Sequence, residues 1–137
     1  MPTSSGTAGY SKTPFIKKMG VKEGMRGILL RAPREVLRLF EEVSPGFAKA
    51  LSGKFDYIHL FSKDEKILKK DFPRVKRFLK PGGIFWVSWP KSGKLGTDLN
   101  ESKVQAIGLA AGLVDIKVAA LDETWSGLKF VYRLKDR

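Results

Sequence analysis

The stretch Leu79-Lys80-Pro81-Gly82-Gly83-Ile84-Phe85-Trp86-Val87-Ser88-Trp89 decides the fold. Proline cannot continue a helix, and two glycines allow the extended or left-handed backbone that re-aims a chain. The first five residues therefore predict the end of a basic amphipathic helix and a sharp turn. The apolar run from Ile84 predicts a buried central strand. Upstream, Phe55-Asp56-Tyr57-Ile58-His59-Leu60-Phe61 predicts a second buried strand.

Between these strands, Ser62-Lys63-Asp64-Glu65 has the form of a capping box, with the Ser62 hydroxyl capping a helix and Glu65 reaching back. Ile67, Leu68 and Phe72 give that helix one apolar face. Pro73 predicts a break near Asp71, then a second short helix carrying Val75, Phe78 and Leu79. A strand, a helical crossover and a strand predict parallel pairing with a right-handed connection.

Working outward, Ile28–Ala32 predicts a short first strand, stopped by Pro33. Val36, Leu37, Leu39, Phe40 and Val43 recur at helical spacing until Ser44-Pro45-Gly46. Phe47–Leu51 predicts a brief edge strand. Ahead of all these, Phe15, Ile16 and Met19 form the apolar patch of a short helix that closes at glycines 20 and 24. On the far side, Pro90–Gly96 is a loop, and Asp98 and Asn100 are helix caps ahead of Val104, Ile107, Leu109 and Leu113. Gly112 stops that helix. Val114–Leu121 and Leu128–Leu134 then predict a terminal antiparallel hairpin across residues 122–127. The expected architecture is α/β: one three-layer domain over residues 10–137, with a mostly parallel sheet of five or six strands ending in that hairpin. Residues 1–9, small and polar, are expected to be a flexible tail.

Composition narrows the function classes. The 137 residues contain no cysteine, which excludes disulfides, thiolate metal sites and cysteine nucleophiles. A reduced, cytoplasmic setting is the expectation. No apolar run approaches the roughly 20 residues that span a bilayer, and no signal-peptide core is visible, so a membrane partner is not expected. The net charge of +12 is concentrated: residues 1–34 carry +6 and residues 62–80 carry +5. Such patches suit nucleic acid, phosphate ligands or an acidic partner, and equally a solvated helix face. Lys69, Lys70, Lys76 and Arg77 are the candidate basic patch. No metal-ligand spacing is present.

The Phe-Asp strand and the Leu-Lys-Pro-Gly-Gly turn, in this order, resemble the second half of class I S-adenosylmethionine-dependent methyltransferases. Family-like local sequence covers Phe55 to Ser88. The resemblance implies a Rossmann-like fold, and S-adenosylmethionine as the cofactor if one is bound. More closely, Tyr10-Ser11-Lys12-Thr13-Pro14, Phe55–Phe61, Val87-Ser88-Trp89-Pro90-Lys91 and Asp122-Glu123-Thr124-Trp125-Ser126-Gly127-Leu128-Lys129 resemble an uncharacterised family of short bacterial proteins. The chain departs from the methyltransferase pattern where the cofactor would sit. The family follows its first strand with a glycine-rich loop and ends its second with an acid that binds the ribose. Here the first strand leads into Arg31-Ala32-Pro33-Arg34, and Phe47–Leu51 does not end in an acid. No cofactor residue is carried over, and no cofactor is expected. The expected function is ligand or partner binding without methyl transfer. The alternatives are a minimal methyltransferase with an atypical site around Arg31, Ser88, Trp89 and Trp125, and a basic nucleic-acid-binding protein.

Ligands of open α/β sheets gather beyond the carboxyl ends of the strands. That rule brings together Arg31 and Pro33, His59 to Ser62, and Ser88, Trp89, Pro90 and Lys91, with the hairpin turn Asp122 to Ser126 opening on the same edge. The ligand-binding candidates are Arg31, His59, Ser88, Trp89, Lys91, Glu123 and Trp125. Aromatic faces and charged groups of this kind suit a planar or anionic ligand. His59, the sole histidine, is either a base or a hydrogen-bonded core residue, and alternation places it with Tyr57 and Phe61 on one face. Trp86 reads as packing. A Ser88–His59–Asp122 triad lacks a recognisable nucleophile elbow or oxyanion loop, so no catalytic residue is assigned.

Overall fold

Three parallel strands form one side of the sheet in a computed structural model that describes residues 13–137. They are β1 (Gly27–Leu30), β2 (Phe55–Phe61) and β3 (Leu79–Pro90). β1 aligns Gly27 with Tyr57 and Leu30 with Leu60, and β2 aligns Tyr57 with Ile84 and Phe61 with Ser88. The hairpin strands β4 (Leu113–Ala120) and β5 (Trp125–Tyr132) complete a five-stranded sheet in the order β1-β2-β3-β5-β4, with β5 antiparallel to both neighbours. This is the mixed, mostly parallel then antiparallel sheet that the sequence predicts. The tail expected over residues 1–9 lies outside the described residues.

The period-two alternation of β2 sorts two cores. Ile58 and Leu60, with Phe85, Val87, Leu128 and Phe130, face α3 (Glu65–Lys76) and α4 (Glu101–Ala110). Tyr57 and Phe61, with Trp86 and Trp125, face α1 (Pro14–Met19), α2 (Arg34–Leu37) and the turns after it. Trp86 reads correctly as packing, and its buried Nε1 donates to the Met19 carbonyl at 2.8 Å. Helices on both faces make three layers.

Local details correct the sequence reading. The Lys80-Pro81-Gly82-Gly83 turn does not follow directly on a helix: α3 ends at Lys76, and Leu79 already pairs with Phe55. Residues 80–83 bulge out of β3, four residues opposite the single Asp56, and the Lys80 ammonium pairs with the Asp56 carboxylate at 3.1 Å. Gly83 is demanded by space, because a Cβ there would lie 3.1 Å from the Lys80 and Phe55 carbonyl oxygens. The expected break at Asp71 is absent, and α3 runs through Pro73. Proline costs about 3 kcal/mol inside a helix, whereas burying Leu68, Phe72 and Val75 against the sheet gains about 1.5–3 kcal/mol each. Pro73 itself is exposed, so its ring meets water.

The cap of α3 is Asp64, which accepts from the Ile67 amide at 3.0 Å, not Ser62. Glu65 does not reach back; it pairs with Lys69 and Lys103, and its amide is taken by Asp98 at 2.9 Å. Asp98 thus caps a neighbouring helix, while Asn100 caps α4 as expected. The long helix expected after Pro33 is only the four residues of α2, followed by 3-10 turns at Arg38–Phe40 and Ser44–Gly46. The chain turns early so that Phe47 can cover Gly27, where a Cβ would lie 2.6 Å from the ring. The expected edge strand at Phe47–Leu51 is reduced to one parallel bridge between Ile28 and Ala48. β1 ends at Leu30 rather than Ala32, because Arg31 is left-handed (φ 62) and leads the chain out of the sheet.

Candidate functional site

The carboxyl ends of β1, β2 and β3 lie on one edge, and the β4–β5 turn joins them there. The Lys91 amide donates to the Thr124 carbonyl at 2.8 Å and its ammonium to the Asp122 carbonyl at 3.2 Å. Asp122 holds the turn by accepting from the Thr124 and Trp125 amides at 2.8 and 2.7 Å. Asp122 is therefore a turn residue rather than a third member of a triad. The edge divides the expected residues among a core network and two clefts.

His59 and Ser88 lie in the core, with no exposed surface. His59 Nε2 is 2.7 Å from Ser88 Oγ, and Nδ1 is 2.9 Å from the Tyr57 hydroxyl. Either tautomer satisfies both nitrogens, because each hydroxyl can donate or accept. The imidazole stacks on Phe61 (4.4 Å between ring centres) and Trp86 (5.9 Å), with Phe40 edge-on. This apolar enclosure penalises the imidazolium and pushes the His59 pKa down to about 3. Burial likewise raises the Tyr57 pKa well above its usual value. The serine and imidazole are as close as in a catalytic dyad, yet no substrate could reach them. Their task is to satisfy one another and hold Phe61.

Phe61 also lines a cleft of about 390 Å³ with Arg31, Ser62, Lys63, Asp64, Ile67 and Trp125. Trp125 meets Phe61 edge-to-face at 5.6 Å, and its buried Nε1 has no partner among the described residues. A buried donor left unpaired costs about 1–3 kcal/mol. Arg31 adds a second cost, since a left-handed backbone at a non-glycine residue is worth about 1–3 kcal/mol. Its guanidinium is fixed by Asp71, whose other carboxylate oxygen takes Arg74 at 3.3 Å. Burial alone would raise the Asp71 pKa, but the hydrogen bonds and charges of both arginines outweigh it and hold the carboxyl below its ordinary range. The sequence reading missed Asp71, although an acid on the apolar stripe of Leu68, Phe72 and Val75 was a signal. Ser62 was expected at this edge, whereas Lys63 and Ile67 were missed as lining residues because they belong to the crossover rather than to a strand.

Trp89 and Lys91 line a separate cleft of about 430 Å³ with Asp98, Asn100 and Ser126. Trp89 is almost wholly buried against Leu99 and Val104. Glu123 is exposed in the turn, and its carbonyl accepts from Lys94 at 2.8 Å. Arg31 and Trp125 are thus brought together, Trp89 and Lys91 are brought together, and His59 and Ser88 lie beneath. Of the four residues of a minimal enzyme, Arg31 and Trp125 line one cleft, Trp89 lines another, and Ser88 is buried.

The expected basic patch is also divided. Lys76 turns inward, donating to the Ala111 carbonyl at 2.6 Å and passing over the Tyr132 ring, while Lys69 pairs with Glu65 at 3.5 Å. Lys70 and Arg77 face water, and Lys66 joins them on the exposed side of α3. Among the described residues no group of three or more acids or histidines could hold a metal, and no helix is long and apolar enough to cross a membrane.

No protein-family model matches the sequence, and no curated protein matches it. Solved structures do match the fold. An S-adenosylmethionine-dependent methyltransferase from Clostridium acetobutylicum superposes with a TM-score of 0.53 over 77% of this chain and 74% of its own, at 12% identity. Mitomycin 7-O-methyltransferase gives 0.54 over 79% of this chain and 42% of its own, at 15% identity. Magnesium protoporphyrin IX methyltransferase from Synechocystis, solved with bound S-adenosylmethionine, gives 0.50 over 61% of this chain and 41% of its own, at 11% identity. The chain spans less than half the length of the last two. At these identities the likeness establishes a methyltransferase-like, Rossmann-like α/β fold.

The residues do not fit S-adenosylmethionine in the way that the resemblance to class I methyltransferases implies. The turn after β1 has Arg31 pinned to Asp71 where glycine should admit the cofactor, and Pro33 has no amide hydrogen to offer. Ala48-Lys49-Ala50-Leu51 follows the single bridge with no acid for a ribose.

Proposed function

We propose that this chain is a methyltransferase-fold domain that binds a small anionic or planar ligand at its carboxyl edge and does not transfer a methyl group. The observation that carries this reading is Arg31: a left-handed, ion-paired arginine stands where the fold's cofactor turn requires glycine. Beside it, the Phe61 and Trp125 rings, the Ser62 hydroxyl and the Lys63 ammonium line a cleft of about 390 Å³, a volume suited to a small molecule. Rings supply stacking surface, and the cations supply charge-assisted hydrogen bonds.

Calorimetry with S-adenosylmethionine and its demethylated product is the decisive test. No heat is expected up to millimolar concentration. Saturable binding accompanied by methyl transfer to any acceptor would overturn the reading in favour of a minimal methyltransferase. A thermal-shift screen of nucleosides and phosphorylated metabolites should yield a stabilising compound, because any ligand of the native state raises its melting temperature. For a compound that binds in this cleft, Lys63→Ala should abolish the shift.

A second reading, nucleic-acid binding, is favoured by one observation. Lys66, Lys70 and Arg77, spaced four and seven residues apart, make an exposed cationic stripe along α3.

A further inference from the structure

Lys117 and Lys129 stand directly opposite one another on β4 and β5, and like charges so placed destabilise a sheet. Their partners bring more positive charge. Lys129 pairs across β3 with Trp86, whose indole donates to the Met19 carbonyl, so the lysine lies on the face covered by α1. Its ammonium sits at the end of that helix, 3.5 Å from where a Cβ of Gly20 would be. Lys18 and Lys22 flank Gly20 in the chain. Lys18 donates to the Ala120 carbonyl at 2.7 Å, and Lys117 donates to the Lys18 carbonyl at 3.4 Å. Segments about a hundred residues apart thereby close into one cationic cluster.

Among the described residues no carboxylate pairs with it. None of the ion pairs among the described residues includes Lys18, Lys22, Lys117 or Lys129. Glu23, next to Lys22, is exposed and unpaired among those residues. A solvated lysine face would spread its charges into water, but Lys129 is half-buried. Its pKa is lowered by burial first, then by the charges of Lys117 and Lys22. Two lysines satisfying carbonyls near the end of α1 account for Lys18 and Lys117. They leave Lys129 without a partner among the described residues.

We propose that Lys22, Lys117 and Lys129, with Lys18 beside them, form a binding site for the phosphate of a small phosphorylated molecule. A phosphate oxyanion supplies the missing negative charge to several ammonium groups at once, and lysine serves phosphate as a mobile point charge. This site is separate from the carboxyl-edge cleft, none of whose lining residues it shares.

Inorganic pyrophosphate is the probe, titrated into the protein by calorimetry against sodium chloride of matched ionic strength. The wild-type chain is expected to bind it saturably, and Lys129→Met, which keeps the apolar stem, should raise the dissociation constant at least tenfold. In the wild-type chain, pyrophosphate should also protect Lys22, Lys117 and Lys129 from acetylation while leaving Lys70 reactive. This footprint decides the matter even if the variant fails to fold. Binding no better than the salt control, full affinity in Lys129→Met, or uniform labelling with and without pyrophosphate would each overturn the site.

Discussion

His59 shows how little a residue's chemistry says until its surroundings are known. Alternation along β2 places it with Tyr57 and Phe61, and that much is legible in the sequence. Whether it met substrate or core depended on the register that brings Ser88 to its Nε2 and on the Phe40 and Trp86 rings that enclose it. The enclosure has a pH consequence. The folded-state pKa of about 3 lies below the unfolded value near 6.5, so the unfolded chain binds the extra proton as pH falls. Stability is therefore full above about pH 6.5 and is lost by about 1.4 kcal/mol per pH unit down to about pH 3. Urea unfolding between pH 7 and 5, above most carboxylate titrations, should show stability falling and approaching this slope by pH 5, and a flat profile there would mean that His59 is not buried neutral. Tyr57 acts at the other limit. Its raised pKa means that stability should fall as pH rises beyond about 10.

Helix α4 makes the corresponding case for a whole element. Its sequence carries a glycine at 108, which costs a helix about 1 kcal/mol relative to alanine, yet a Cβ there would lie 2.0 Å from the Phe130 ring. The glycine lets the helix approach β5. Gly108→Ala should consequently destabilise the protein by about 1–3 kcal/mol, despite the better helix propensity, because overpacking outweighs it. Chemical denaturation measures the difference, and a stabilised variant would show that α4 does not pack on Phe130. Helices and strands were legible wherever local patterning and burial agreed, as in β2, α4 and the hairpin. They were misread where packing overruled local chemistry: Pro73 is carried inside α3 by its apolar stripe, and the helix after Pro33 is cut short so that Phe47 can cover Gly27. Caps were legible as residue types but not always as pairings: Asn100 caps α4 as expected, whereas Asp98 serves α3 rather than the helix it precedes.

At the scale of the whole molecule, a net charge of +12 is a property of the chain, whereas its useful surfaces are properties of the fold. If the α3 stripe binds nucleic acid, charge reversal at Lys66, Lys70 and Arg77 should flatten the dependence of log affinity on log salt by about 2 for a single strand, each lost phosphate contact accounting for about 0.7. Filter binding across a salt series reads this slope, and an unchanged slope would reject the stripe. The sequence by itself determined the class of fold, because buried strands, an amphipathic crossover and a proline-glycine turn are written in local periodicity and backbone restriction. Set beside the methyltransferase pattern it resembles, it also placed Arg31 and Pro33 where that pattern has glycines, a bulky side chain and a missing amide hydrogen being visible in the residues themselves. Only the tertiary structure decided that Ser88 and His59 are sealed, that Arg31 joins Trp125 in one cleft while Trp89 opens on another, and that lysines from segments a hundred residues apart gather in one cluster. Burial, strand register and charge proximity are relations between distant segments, and they come into being when the chain closes.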